Sequence, residues 1–430
     1  MRILVIGSGG REHAIVHALA ESLRVDAIFV APGNGGTAGE RATSNVSLDS
    51  ADSAAVVAFA LDNRLDLAVI GPEVPLVAGL ADDLRAAGIP TFGPGASGAR
   101  LEGSKTFAKD LMVKSAIPTA TAETFSQREA ALAYLEGVGA PVVVKADGLA
   151  AGKGVTVAMS VDEARAAIDE CFDGRFGEAG ALVVIEEYLA GPEVSLLAFV
   201  DGRVVLPMAP AQDHKRVGDG DTGPNTGGMG VYSPVPGISS AAHATMVAIL
   251  QRTANALADD GIDFRGVLYG GFILTDDGPK VLEYNTRFGD PETQVLLPRL
   301  QTDLAEVLLA TANGELDSLG ELAWSDDVVV SVVIASGGYP NDYETGKPIT
   351  GIAEAKAIPG VLVYHAGTTL ADDGTLLSAG GRVLNVTAFG RDYRDALDKA
   401  YDAVGRITFD GAFYRQDIAH RALTASQLDA

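Results

Sequence analysis

Val142-Val143-Val144-Lys145-Ala146-Asp147-Gly148-Leu149-Ala150-Ala151-Gly152-Lys153-Gly154-Val155 joins an apolar, β-branched strand to a Gly/Ala turn with a lysine on either side. Lys145 sits near the strand end and projects a fixed positive charge. Gly148, Gly152 and Gly154 let backbone N–H groups approach phosphate oxygens without interference from a Cβ. The arrangement suits a nucleoside triphosphate. It is not a Walker A loop: three residues separate Gly148 from Gly152-Lys153, one fewer than that motif carries, and Gly154 stands where a Ser or Thr would hold magnesium. The competing reading is a plain hairpin with a solvated lysine at its tip.

Outward from this segment, residues 122–187 read as strand, helix, strand, Gly turn, strand, helix, strand, a small α/β lobe built around the lysines. Its last strand runs into Glu186-Glu187-Tyr188-Leu189, and Gly191-Pro192-Glu193 turns the chain into another strand. From there to about residue 304 the strands lengthen, and Asp201-Gly202 and Asp276-Asp277-Gly278 read as hairpin turns of a largely antiparallel sheet. Upstream, residues 3–6, 27–30 and 67–70 are short apolar strands between amphipathic segments, the pattern of an open parallel α/β sheet. A Gly/Pro boundary at residues 93–98 then leads into a helix carrying Lys105 and Lys109, which Ile117-Pro118 ends. Strands at 328–334, 361–364 and 383–386 and a helix at 392–406 make a small C-terminal unit. The expectation is an α/β and α+β multidomain protein: a Rossmann-like unit at 1–103, a central unit at 104–326 containing a lid lobe at 122–190, and a C-terminal domain at 327–430.

With 47% hydrophobic and 21% charged residues, the 430-residue chain has the composition of a globular protein. No stretch is apolar enough to span a membrane and Met1-Arg2 runs straight into the first strand, so neither a membrane partner nor a signal peptide is expected, and the location is cytoplasmic. A formal charge of −25 disfavours nucleic acid and anionic lipid. A small phosphorylated substrate would then depend on local cations or a metal. The single cysteine, Cys171, falls in a helical, core-type pattern and has no chemical partner motif.

Three glycine-bearing loops of the N-terminal unit open at one sheet edge. Gly7-Ser8-Gly9-Gly10-Arg11-Glu12 has two glycines of the dinucleotide fingerprint but Glu12 at the third, and Ala31-Pro32-Gly33-Asn34 lacks the acidic residue that binds the ribose of NAD. A smaller phosphate at the helix N-terminus remains compatible, with Gly71-Pro72-Glu73 beside it. In the central unit, period-two alternation puts Glu283, Asn285 and Arg287 on one face if their strand continues. The two oxygen donors suit Mg²⁺ and the guanidinium suits a carboxylate or phosphate. The aperiodic stretch 212–230 supplies clustered positive charge through His214-Lys215-Arg216 and reads as a substrate-gripping loop. There is no Gly-x-Ser-x-Gly elbow or His-Glu-x-x-His pair, so covalent catalysis by a side chain is not expected. Lysines, an arginine, Gly turns and a metal pair are the equipment of phosphoryl transfer.

Together these segments resemble the ATP-grasp superfamily and, within it, the phosphoribosylamine-glycine ligase family. The resemblance runs nearly end to end and rests most on the strings at 220–230 (GDTGPNTGGMG) and 287–293 (RFGDPET). It implies an ATP-grasp fold and an ATP-dependent ligation of glycine to 5-phosphoribosylamine through glycyl phosphate, with Mg²⁺ or Mn²⁺, by a monomer or weak dimer. By the family pattern Lys105 and Lys145 would contact ATP phosphates under a lid of Gly152, Lys153 and Gly154. Glu186, Glu187, Tyr188 and Leu189 would form the adenine hinge, Glu193 would hold the ribose, and Glu283 and Asn285 would bind metal. Asp213, Lys215 and Arg287 would serve glycine and the acyl phosphate. Gly9, Gly10, Asn34 and Glu73 would receive the sugar phosphate, with Asn225, Gly289 and Asp290 adding substrate contacts. Many superfamily members carry a further carboxylate on the strand before the Glu-x-Asn pair, and residues 267–274 contain none. Other readings are a formate- or bicarbonate-using relative, a non-catalytic ATP sensor and, through Gly7-x-Gly9, an NAD oxidoreductase.

Overall fold

The computed structural model describes residues 1–149 and 154–428. The N-terminal sheet consists of β1 (Arg2–Gly7), β2 (Ala27–Pro32), β3 (Thr43–Asn45), β4 (Leu67–Ile70) and β5 (Thr91–Phe92), all parallel in the order β3-β2-β1-β4-β5. Nearly all of β1 and all of β4 are buried, which is why both read as unbroken apolar runs. Strand order reverses between β1 and β4, so the loops after them open on one crevice. β3 and β5 are too short to leave a periodic signal and were not expected from the sequence.

The lid lobe contains β6 (Ala122–Phe125), β7 (Val142–Ala146), β8 (Val155–Ala158) and β9 (Val183–Glu187), antiparallel in the order β6-β9-β7-β8. Helices Arg128–Val138 and Val161–Phe172 pack on it, the second begun by a Ser160/Glu163 capping box and burying Cys171. Next come β10 (Glu193–Asp201), β11 (Val204–Pro207), β12 (Gln212–Asp213), β13 (Arg216–Gly218), β14 (Thr222–Asn225), β15 (Gly230–Ser233), β16 (Arg265–Thr275) and β17 (Gly278–Asn285). The central antiparallel sheet runs β11-β10-β16-β17, closed by the hairpins at Asp201-Gly202 and Asp276-Asp277.

The C-terminal strands are β18 (Val328–Ser336), β19 (Val361–His365), the small hairpin of β20 (Thr368–Leu370) and β21 (Leu376–Ser378), and β22 (Arg382–Gly390). Helix Tyr393–Val404 packs on this sheet. Its path is β12-β15-β18-β22-β19, so the stretch 212–230 is paired to the C-terminal sheet rather than lying free. Within that stretch β13 and β14 form a hairpin, Arg216 opposite Asn225 and Gly218 opposite Thr222. The units share a core where Phe92, Phe199 and Phe288 meet, with ring centroids 5.7 Å (Phe92–Phe288) and 5.8 Å (Phe199–Phe288) apart. Each such ring contributes roughly 1.5–3 kcal/mol on burial. The N-terminal sheet is thereby fixed against the central one.

Candidate active site

A cavity of about 840 Å³ opens between the lid lobe, the central sheet and the loops of the N-terminal sheet. At one end β7 and β9 run side by side and bring Lys145 to Glu186, Nζ to Oε2 at 2.9 Å. Lys109, one helical turn beyond Lys105, reaches the other oxygen of Glu186 at 3.2 Å. All three side chains are buried, so one carboxylate bridges two ammonium groups. Burial pulls Lys109 down to about 8, against the Glu186 charge that raises it. Lys145 also donates to the carbonyl of Leu282 on β17 at 3.0 Å, which fixes its direction.

Lys105 begins the helix Lys105–Lys114, where Ser104 caps the N–H of Phe107. Its Nζ donates to the carbonyl of Gly148 at 3.0 Å and its backbone N–H to Asp147, which ties this helix to the root of the Gly turn. Gly154 lines the cavity; Gly152 and Lys153 lie outside the described residues. Glu187, Tyr188 and Leu189 also line it, with Glu187 Oε1 accepting from Thr121 N–H at 2.9 Å. Of the expected hinge residues, Glu186 has its carboxylate committed to the lysines.

At the other end Lys215 stands 2.7 Å from Glu193 and 4.0 Å from Glu283. Burial disfavours its charge, but Glu193, Asp213 and Glu283 outweigh that and hold its pKa well above the ordinary lysine value. Glu283 is ionised for the converse reason: burial raises its pKa, while Lys215, Lys145, Lys105 and Arg287 lower it further than burial raises it. Asp213 is pushed up to about 7 by burial and by Glu292 and Glu193, with Lys215 opposing. Tyr269 donates to Glu292 at 3.0 Å and shares a 2.7 Å hydrogen bond with Ser195.

Arg287 lies just past the end of β17, and its Nη2 donates to Asn285 Oδ1 at 3.3 Å. Its orientation comes from Glu102 at 2.9 Å and Glu73 at 3.4 Å rather than from continued strand alternation. Glu283 and Asn285 supply oxygen donors, and among the described residues no group of three His, Cys, Asp or Glu side chains is placed to hold a metal ion. A divalent cation fits only if ligand phosphates and water complete its shell, which is how Mg²⁺ is usually held. Asn225 and Asp290 line the cavity, Asp290 being 3.4 Å from Arg382. A Cβ at Gly289 would lie 2.2 Å from Glu292 Oε2, so glycine there admits that carboxylate.

Gly9, Gly10, Asn34 and Gly289 do not line the cavity. Glu12 Oε2 accepts the Gly9 N–H at 2.6 Å, and a Cβ at Gly71 would lie 2.1 Å from Glu12 Oε1. A Cβ at Gly10 would lie 2.4 Å from Asn385 Nδ2. Asn34 spends its side chain on backbone, donating to Ser8 and His365 carbonyls at 2.9 and 2.8 Å and accepting from Gly36 and Thr37. The expected positive cluster is also reduced. His214 is buried and accepts from Ala419 N–H at 2.9 Å, and burial lowers its pKa, so it is neutral. Lys109, Glu102, Tyr269 and Glu292 were not singled out from the sequence. Lys109 left a signal there in its helical spacing from Lys105, and Glu292 in the string at 287–293.

Three family models tile the chain: the phosphoribosylglycinamide synthetase N domain over residues 1–102, its ATP-grasp (A) domain over 103–293 and its C domain over 329–421. A phosphoribosylamine-glycine ligase of Agrobacterium fabrum is 54% identical over 424 residues, covering 98% of this chain and 99% of that protein. One from Nostoc is 50% identical over 423 residues, with 98% and 99% covered. The crystal structure of a phosphoribosylamine-glycine ligase from Thermotoga maritima matches with a TM-score of 0.85 at 34% identity, over 97% of this chain and 100% of that one. The chain belongs to the phosphoribosylglycinamide synthetase family.

Proposed function

We propose that this chain joins glycine to 5-phosphoribosylamine at the expense of ATP, giving glycinamide ribonucleotide, ADP and phosphate in purine synthesis. The observation that carries the reading is the ring of Lys105, Lys145 and Lys215 around the ionised Glu283 in the cavity that Arg287 also lines. Such a ring neutralises phosphate charge while leaving one hard anion for a metal.

In this reading a glycine carboxylate oxygen attacks the γ-phosphorus and ADP leaves. The sugar amine then attacks the acyl carbon, phosphate departs with the bonding electrons, and the amine gives up a proton. Lys145 and Lys105 hold phosphates from below and Gly152, Lys153 and Gly154 cover them. Glu187, Tyr188 and Leu189 face the base and Glu193 the ribose. Glu283 and Asn285 hold Mg²⁺ or Mn²⁺, which screens phosphate charge when bound. Arg287 takes the glycine carboxylate, while Asp213, beside Lys215, takes its ammonium group. Glu73, Asn225 and Asp290 frame the side that receives the sugar phosphate, with Gly9, Gly10, Asn34 and Gly289 supporting it from behind. The chain acts as a monomer or weak dimer in this reading. The unpaired Cys171 suits the cytoplasm.

A coupled assay of ADP release tests this. Release should need both glycine and freshly made phosphoribosylamine, and formate or bicarbonate should not replace glycine. Release with either substrate omitted would contradict the ligase.

A further inference from the structure

The hairpin of β13 and β14 is tied to the end of the chain, and of the residues involved Arg216, Asp221 and Arg421 line the cavity while Arg415 does not. Arg415 has only 1% of its side chain exposed. Its Nη1 donates to Asp221 Oδ1 at 2.9 Å and to the Arg216 carbonyl at 3.0 Å. Its Nε and Nη2 donate to the two oxygens of Asp417, each at 2.7 Å. Asp417 in turn accepts the Gly220 N–H at 2.8 Å, and Asp219 accepts the Gln416 N–H at 2.8 Å. Arg421, from the helix His420–Leu428, takes the second oxygen of Asp221 at 2.5 Å. Asp221 has a left-handed backbone, φ 55°, at the hairpin turn. Apart from the Arg415–Asp417 pair, each of these contacts joins residues 216–221 to residues 415–421.

The base of the same hairpin carries Lys215 and Asn225, both on the cavity wall, and Thr226 N–H donates to the Lys215 carbonyl at 2.8 Å. A buried guanidinium between two carboxylates is a poor source of stability, because desolvation offsets most of the Coulomb attraction and an apolar residue of equal volume serves as well. What the planar fork adds is direction, several donors at fixed angles. Arg415 touches the tip and one strand of the hairpin but does not line the cavity.

We propose that Arg415 is a positioning residue for the acid and amine substrates. Through Asp221 and the Arg216 carbonyl it sets where the hairpin presents Lys215 and Asn225, so the C-terminal segment governs the acceptor half of the site and leaves the nucleotide half to Lys105, Lys145 and Glu186. This rests on the ligase reading above, and the wild-type chain must first show ADP release that needs both glycine and the amine.

The test compares full-length Arg415→Met, Arg415→Lys and Asp221→Asn with wild type. Arg415→Met and Asp221→Asn should each raise KM for glycine or the amine on the order of tenfold or more, since small displacements of positioning groups cost that much. KM for ATP should rise less, because Lys215 also pairs with Glu193. Arg415→Lys, which keeps the charge and loses the fork, should fall between. The double variant should be no worse than the larger single effect, because both changes break one contact. Amides of residues 216–225 should exchange faster in Arg415→Met. If Arg415→Met does not fold, Arg415→Lys decides, since Arg415 stands off the cavity wall that Asp221 lines. Wild-type KM values for glycine and the amine in Asp221→Asn and Arg415→Lys, or an equal rise in KM for ATP, would overturn the proposal.

Discussion

The turn after β1 and the turn after β7 are both glycine-rich and both follow a buried strand, yet they serve opposite ends. At the first, the protein supplies its own anion: Glu12 occupies the space against Gly7, Gly9 and Gly71, accepts the Gly9 N–H, and pairs with Arg11. At the second, Lys105 and Lys145 stand at the root of the turn and both line the cavity. Glycine marks where something must come close. The charge beside it tells whether that something is a ligand phosphate or the chain's own carboxylate.

Replacing Lys145 should produce the largest effect. Lys145→Met should lower kcat/KM by about a hundredfold to a thousandfold, about 3–4 kcal/mol, as for loss of a preorganised electrostatic contact. Lys109 would still pair Glu186, so the fold should survive, as thermal melting would verify. A loss below tenfold would put the second turn on a level with the first. Glu12→Gln should act on stability instead: it leaves Arg11 buried without its charge partner and costs about 3 kcal/mol in denaturant titration, with KM for phosphoribosylamine unchanged. A raised KM for phosphoribosylamine in that variant would make the first turn a sugar-phosphate site after all.

Smaller effects should separate Lys145 from Lys153. Lys153→Ala should cost about tenfold in kcat/KM, less than Lys145→Met, because Lys145 is buried and already held by Glu186 and the Leu282 carbonyl. Equal losses would erase the distinction. The acceptor end adds a pH signature. Asp213 is raised to about 7, and its proposed role needs the carboxylate, so kcat/KM for glycine should fall as pH drops through about 7. Asp213→Asn should remove that acid limb, and a limb retained in the variant would assign it to another group.

What the sequence made legible was whatever depends on local pattern. The strands at 3–6 and 67–70 announced themselves by apolar runs, and Lys145 by its place near the end of one. Glu102 and Tyr269 carried no such signal, since each becomes functional only by meeting residues far away in the chain: Glu102 meets Arg287, and Tyr269 meets Glu292 and Ser195. The stretch 212–230 read as aperiodic because its four strands are short and pair with β18 and with each other, not with flanking segments that would impose a rhythm. His214 looked cationic among its neighbours. Burial and the Ala419 N–H made it neutral, and neither is visible from composition.

The central claim is that the lysine-ringed cavity uses ATP to activate a carboxylate. The most direct measurement is turnover of glycine labelled with ¹⁸O in its carboxylate, followed by mass analysis of the phosphate released. Attack of the carboxylate on the γ-phosphorus predicts one labelled oxygen in phosphate for each ADP formed. Phosphate free of label, with product still forming, would contradict an acyl phosphate and with it the role assigned to this cavity.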